Sequence, residues 1–375
     1  VLAASQYDIV ILGLTITSSW GNGHATTYRG LIRELASKGH RVLFLERDMP
    51  WYASQRDFNN SEYVKTMLYA SVKELKEQYA LIIQKAELVI VGSYVPDGIE
   101  VGEWVIKTAD GITAFYDIDT PVTMTNIEND NCFYLKRELI PMYDMYLSFA
   151  GGAILDVLEK VYGSPMARPL YCSVDTVIYN KVETGLIYDL GYMGTYSSDR
   201  QELLDALLLQ PAFCLPGRDF IVAGPQYPDC IEWPVNVKHV DHIPPPGHSE
   251  FYSSQRYTLN LTRSDMMKAG YAPSVRLFEA AACGTPVISD YWEGLDTFFE
   301  LGEEILIANS SEEILTFLQE INECRRRSIG ERARNRILLE HTAAHRAAQL
   351  EIYYKEALRM RRQLFAIQEK NSCGM

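Results

Sequence analysis

The sequence predicts an α/β protein with two open parallel sheets, each covered by helices on both faces, and three observations carry that expectation. The length of 375 residues exceeds one ordinary α/β core and suits two domains. Short β-branched runs such as Ile9-Val-Ile-Leu12 and Leu88-Val-Ile-Val91 have the length and composition of strands buried on both faces. These runs alternate with helical patterns, and the alternation starts afresh near Leu186.

The first series opens with the strand 9–12, a polar loop over 15–25 and an amphipathic helix over 26–38. Gly39-His40 closes that helix, and Arg41-Val-Leu-Phe-Leu45 returns as the second strand. A helical stretch is expected over 61–85, then strands at 88–91, 112–115 and 145–149. The second series has a strand at 187–193, a loop at 194–200, a helix at 201–208, and strands at 220–223, 237–240, 257–261 and 286–289. A charged helix is expected over 332–368. The expected domains are therefore 1–185 and 186–335, with 336–375 as a helical strap packing back onto the first.

Composition removes several function classes. The net charge of −14 disfavours general binding to phosphate backbones. The seven cysteines are odd in number, scattered and never in C-x-x-C spacing, which points to reduced thiols in a cytoplasmic setting rather than to disulfides or zinc. The apolar runs are strand-length, so no transmembrane segment is expected, and no secretory leader is read.

The most informative segment is Gly270-Tyr-Ala-Pro-Ser-Val-Arg-Leu-Phe-Glu279, followed by Ala280-Ala-Ala-Cys-Gly-Thr-Pro-Val-Ile-Ser-Asp290. It reads as loop, helix, tight turn and strand. Pro273 suits the first turn, and free N–H groups near Ser274 and Val275 make an anion site that fits a diphosphate. Arg276 is either a cationic fork beside it or a surface residue. Glu279 lies in apolar company, where a carboxylate needs hydrogen-bond donors; vicinal ribose hydroxyls are one source and a basic neighbour is another.

The string Phe278-Glu-Ala-Ala-Ala-Cys-Gly-Thr-Pro-Val-Ile288 resembles the signature of retaining glycosyltransferases of the family-4 type. Tyr116-Asp-Ile-Asp-Thr-Pro121, Leu190-Gly-Tyr-Met-Gly-Thr-Tyr-Ser-Ser-Asp-Arg200, Arg276-Leu-Phe-Glu279 and His341-Thr-Ala-Ala-His-Arg346 together are similar to the spore-maturation (CgeB-like) glycosyltransferases. The resemblance implies the GT-B architecture: two Rossmann-like domains facing a cleft, with the C-terminal helix crossing back to the N-terminal one. It implies that Glu279 holds the donor ribose and that Ser274 and Val275 hold the pyrophosphate. Arg200 and Arg263 become diphosphate candidates, each alternatively a surface arginine, and Val240 and Asp241 border the nucleobase. A UDP-sugar is the implied donor, with no cofactor or metal required and a retaining outcome favoured. One position departs from the family, since Tyr271 stands where its second glutamate is found.

In the first domain, the glycines of Gly21-Asn22-Gly23 permit close backbone approach to a ligand, and the resemblance implies that this is the acceptor-side loop. A dinucleotide fingerprint ending at Glu46 is disfavoured, because Thr26 fills its last small-residue position and the glycines lie far beyond the strand. His24 reads as a base, an orienting donor or a helix cap, and Asp119 as a carboxylate that orients or deprotonates an acceptor hydroxyl. His239, His242 and His248 fit no zinc spacing, and His341 with His345 reads as packing. The expected function is transfer of a sugar from a nucleoside diphosphate sugar to a hydroxyl of a glycan, protein or small molecule. A nucleotide-sugar epimerase of the same fold and a non-catalytic sugar-nucleotide or glycan binding protein remain as alternatives.

Overall fold

The computed structural model describes residues 7–21, 23–59 and 61–373, with side chains as far as residue 364. It divides into two compact units, one comprising the chain to Ser18, Leu31–Tyr171 and Ala344 onward, the other Ser19–Gly30 and Cys172–Ala343.

The first unit contains β1 (Ile9–Gly13), the second half of α1 (His24–Ser37), β2 (Val42–Arg47), α2 (Pro50–Ala53), β3 (Lys65–Tyr69), α3 (Val72–Lys85) and β4 (Leu88–Gly92). It continues with α4 (Gly98–Thr108), β5 (Ile112–Asp117), α5 (Thr120–Glu128), β6 (Met145–Ser148), α6 (Ala153–Lys160) and β7 (Ala167–Pro169). The strands run parallel in the order β3-β2-β1-β4-β5-β6-β7. The order reverses between β1 and β4, the switch point beyond whose carboxyl ends open α/β sheets bind ligands. Val10, Ile11, Leu12, Val89, Ile90 and Val91 are fully buried, which is why these strands lack polar alternation. Against one face pack Leu75, Tyr79, Ile82 and Ile83 of α3 with Val101 and Val105 of α4. Each such aliphatic side chain contributes about 1.5–3 kcal/mol by leaving water.

The helix expected over 61–85 begins only at Val72. Residues 65–69 form the edge strand β3, paired along β2 from Leu43↔Lys65 to Arg47↔Tyr69. The boundary is chemical. The Ser71 hydroxyl accepts from the Glu74 amide at 3.1 Å and Glu74 reaches back to the Ala70 amide at 2.7 Å, so two donors that no helical carbonyl serves are satisfied at the start of α3.

The second unit holds β8 (Tyr188–Met193), α7 (Ser198–Leu204), α8 (Gln210–Cys214), β9 (Phe220–Ala223), β10 (Val237–Val240), α9 (His248–Ser253) and β11 (Gln255–Asn260). After these come α10 (Ser264–Ala269), α11 (Val275–Ala282), β12 (Val287–Ser289), β13 (Leu306–Ile307), α12 (Ser311–Glu320) and α13 (Glu323–Glu340). Its parallel order, β10-β9-β8-β11-β12-β13, repeats the reversal, now between β8 and β11. A π turn over Asp205–Leu209 joins α7 to α8 just before Pro211, which has no N–H to give to a regular ladder.

The tail is two helices, not one. After α13 the chain breaks at His341 and Thr342, where Ala343 donates to the Val174 carbonyl at 2.9 Å and the His341 ring stacks on Phe278 at 4.9 Å. The last helix, α14 (Ala343–Cys373), then belongs to the first unit. There Glu351 takes Lys38 and His40 at 2.9 Å each, and Arg361 donates to the Gly111 carbonyl at 2.7 Å. Among the described residues no helix is long and apolar enough to cross a membrane.

Candidate functional site

The second unit gathers Gly21, Gly23, His24, Arg200, Val240, Asp241, Arg263, Ser274, Val275, Arg276 and Glu279. Asp119 lies in the first unit, and Asn22 falls outside the described residues.

The start of α11 organises the group. Ser274 is extended (φ −82°, ψ 148°) and makes no side-chain cap to its own helix. Its hydroxyl instead donates to Asn260 Oδ1 at 2.7 Å. With the usual cap turned away, the first-turn N–H groups and the positive end of the helix are left for an external anion. The helix ends on Gly284 (φ 75°), whose N–H returns to the Ala281 carbonyl at 2.8 Å.

Arg276 is buried, which removes the surface reading. Its Nε donates to the Met193 carbonyl, its Nη1 donates to Asn260 Oδ1 at 2.8 Å, and the guanidinium lies 4.7 Å from the Tyr192 ring centre. The remaining nitrogen, Nη2, sits beside Gly194, where a Cβ would approach it to 2.8 Å. Asn260 is thus the joint that ties the helix start to the guanidinium, and Gly194 keeps the space in front of it open.

Glu279, one turn further on, is 4% exposed. Burial pushes its carboxyl up to about 7, partly offset by hydrogen bonding from Tyr179, the charge of Arg276 and hydrogen bonding from Tyr252. The Tyr252 hydroxyl donates at 3.3 Å, while that of Tyr179 also lies 2.9 Å from His248 Nδ1. No salt bridge neutralises this carboxylate among the described residues, so its donors are neutral hydroxyls.

Arg200 and Arg263 converge on Asp199. Burial opposes charge there, but the Ser197 hydroxyl, the Ser264 amide, Arg263 and Arg200 together hold the Asp199 carboxyl below the usual range. Arg200 also donates from Nη2 to the Thr195 carbonyl at 2.6 Å. Val240 ends β10, its carbonyl taking the Gly224 amide at 2.9 Å, and Asp241 beyond it is exposed. His239 stacks on Trp233 at 4.8 Å, whereas His248 is held between Tyr179 and the Ile243 carbonyl. These two rings serve separate partners.

The glycine turn reaches this group directly. Thr195 Oγ1 donates to the Gly21 carbonyl at 3.4 Å, and a Cβ on Gly23 would lie 3.4 Å from Val275. His24 begins α1, and burial pushes its imidazole down to about 4, so the ring is neutral at ordinary pH. Glu46 is occupied: its carboxylate accepts from Thr15 Oγ1 (3.0 Å), Thr17 Oγ1 (2.6 Å) and the amides of Ile16 (2.7 Å) and Thr17 (3.0 Å). Nothing of it remains for a dinucleotide ribose.

In the first unit, Asp117 and Asp119 differ sharply. Asp117 is fully buried and takes the Tyr146 hydroxyl at 2.5 Å, the Thr123 hydroxyl at 2.8 Å and the Asp119 amide at 3.1 Å. Burial nevertheless pushes its carboxyl up to about 6. Asp119 sits at the start of α5 and accepts from the Tyr94 hydroxyl at 2.9 Å. Tyr271, in the unexpected family position, has φ 48° and donates its N–H to the Glu293 carbonyl at 2.6 Å. Its ring covers Gly294 so closely that a Cβ there would come within 2.4 Å.

Sequence reasoning missed Tyr179, Tyr252, Asn260 and Gly194. Only the last two carried a signal, as a polar residue ending one strand and a glycine following another.

Comparisons with known proteins concern the family model and the fold. Residues 200–352 match the family model described as "Glycosyl transferase-like", a segment that contains α11 and the arginines around it. A search of curated protein sequences gives no match. Among solved structures, a sucrose-phosphate synthase from Thermosynechococcus elongatus is similar over 96% of this chain and 99% of its own, with 15% identity and a TM-score of 0.67. Anabaena HepE, solved with UDP and glucose, is similar over 93% and 99% at 12% identity and a TM-score of 0.67. An alpha-glucosyltransferase solved with UDP is similar over 92% and 99% at 11% identity and a TM-score of 0.69. At such identities the likeness concerns the fold, and the fold is that of the GT-B glycosyltransferases, with two Rossmann-like parallel-sheet units.

Proposed function

We propose that this chain is a glycosyltransferase that moves a sugar from a nucleoside diphosphate sugar to an acceptor hydroxyl. The observation that carries the reading is the uncapped start of α11, with the buried Arg276 behind it and the buried Glu279 one turn on. A diphosphate meets the amides at Ser274 and Val275 and the Nη2 of Arg276, with Arg200 and Arg263 as further cations. The ribose hydroxyls donate to Glu279, and the loop at Val240 and Asp241 borders the base. The neighbours solved with UDP make a UDP-sugar the first donor to test.

In the proposed reaction the bond from the sugar C1 to the β-phosphate oxygen breaks as C1 bonds to the acceptor oxygen. The acceptor proton leaves to Asp119 or to the departing diphosphate. His24, held neutral, is assigned as an orienting donor beside the Gly21–Gly23 turn and not as the base. Amides and arginines meet the charge that grows on the leaving group, so no metal ion is assigned a role. Retention of configuration, membership among the CgeB-like enzymes and a cytoplasmic setting follow the resemblance in the motifs. Residues 1–185 are assigned to the acceptor, 186–335 to the donor and 336–375 to the strap.

Incubation with UDP-sugars, with and without hydroxyl acceptors, tests the reading. Release of UDP accelerated by an acceptor, with a new glycoside, is the expected result. Epimerised donor without acceptor, or no turnover of any nucleotide sugar, contradicts it.

A further inference from the structure

The carboxyl edge of the first sheet carries a second cluster that the donor chemistry does not use. Tyr94, just after β4, has φ 62°, and Asp97 at the foot of α4 has φ 56°. Asp130, after α5, has φ 52°. Three of the five described non-glycine residues with positive φ therefore shape two neighbouring turns, Tyr94, Asp97 and Asp130, with only Gln226 and Tyr271 elsewhere. Such conformations are unfavourable for residues with a Cβ and persist where the surroundings impose them.

These turns mount an aromatic group. Tyr134 is buried, and its hydroxyl lies 2.8 Å from Thr123 Oγ1, which also donates to Asp117. Tyr94 packs on Tyr134 at 4.6 Å and lies 6.3 Å from Phe133. Phe133 stands edge-on to Tyr134 at 5.1 Å and 87°, yet remains 60% exposed. An exposed phenyl ring is thus fixed next to a tyrosine whose hydroxyl binds the Asp119 carboxylate at 2.9 Å.

The surroundings select the ligand. Asn129, Asp130 and Asn131, shortly before Phe133 in the chain, are exposed and supply polar groups without positive charge. The nearby cations are engaged: Lys136 pairs with Glu103, Arg137 covers Tyr162 at 4.9 Å and donates to the Val161 carbonyl at 3.3 Å, and Arg47 faces Asp97 at 3.5 Å. With these three cations already engaged a polyanion is disfavoured, and a single exposed ring is too small an apolar patch for a lipid chain. A pyranose has both features the cluster complements, a C–H face for the ring and hydroxyls for carboxylate and amides.

We propose that Phe133, Tyr94 and Asp119 form a subsite for a neutral pyranose of the acceptor, which makes the acceptor a glycan or glycoside. This rests on the transferase reading. The test is saturation-transfer NMR on the full chain with saturating UDP, using methyl glucoside, methyl galactoside, methyl mannoside and the disaccharides maltose and cellobiose. The account predicts transfer to at least one sugar and an affinity at least about tenfold lower in Phe133→Ala, the loss typical of truncating an aromatic anchor. It also predicts an unchanged UDP-induced rise in melting temperature, which shows that the variant is folded. Binding of no sugar in the panel, or undiminished sugar binding by Phe133→Ala, overturns the proposal, as does Phe133-dependent binding of a DNA duplex or of phosphatidylglycerol vesicles in its place. Absence of any UDP shift in the unaltered protein overturns the transferase reading instead, so the two failures are separable.

Discussion

At the scale of single residues, Glu279 is where fold and proposed chemistry meet. Its carboxyl rises from an ordinary 4.5 to about 7 because burial disfavours the charged form by more than the Tyr179 and Tyr252 hydroxyls and the Arg276 charge favour it. The folded state therefore holds a proton that the unfolded chain has already lost between those values. Stability must fall as pH rises from 4.5 through 7, by on the order of 3 kcal/mol from this group. Glu279→Gln is expected to flatten that part of the pH profile in urea unfolding; an unchanged slope would place the proton elsewhere. The apolar setting of Glu279 was legible in the sequence as a carboxylate needing donors. That two tyrosines, at 179 and 252, supply them was not, because they come from segments distant along the chain and nothing in their local pattern marks them. The Phe133 and Tyr94 pairing was hidden for the same reason.

At the scale of elements, α11 is held from behind by α13. Gly330 of α13 lies so close to the turn after α11 that a Cβ would stand 2.2 Å from the Gly284 carbonyl oxygen. Gly330→Ala should therefore cost about 1–3 kcal/mol, the usual penalty of forced overpacking, and weaken nucleotide binding by displacing the helix start. Thermal melts with and without UDP check both effects, and an unshifted melt would mean that the two helices separate freely. Central strands such as β1 and β4 were legible because burial on both faces leaves a continuous apolar run. The edge strands were not. β3 buries only Tyr69 among its five residues, β7 has three residues including a proline, and β13 has two, so none carries enough apolar periodicity to stand apart from its neighbours.

At the scale of the whole molecule, the two sheets share one order over six strands, which arises from repeated crossovers between parallel strands. That repetition made the architecture legible, together with the motifs around Glu279. The break at His341 and Thr342 was not legible, since it depends on a backbone pairing with Val174. The net charge of −14 also makes a prediction. Although an alpha-glucosyltransferase of similar fold was solved with DNA, this chain should not retard a DNA duplex in gels even at low salt; salt-sensitive binding would refute the charge argument. The central claim, a nucleoside diphosphate site at the start of α11, is tested most directly by calorimetric titration of UDP into the unaltered protein and into Glu279→Ala. The account predicts saturable binding to the former and a loss of about ten- to hundredfold in the latter, the weight of hydrogen bonds to a charged group. Equal affinity in both, or no binding to the unaltered chain, would contradict it.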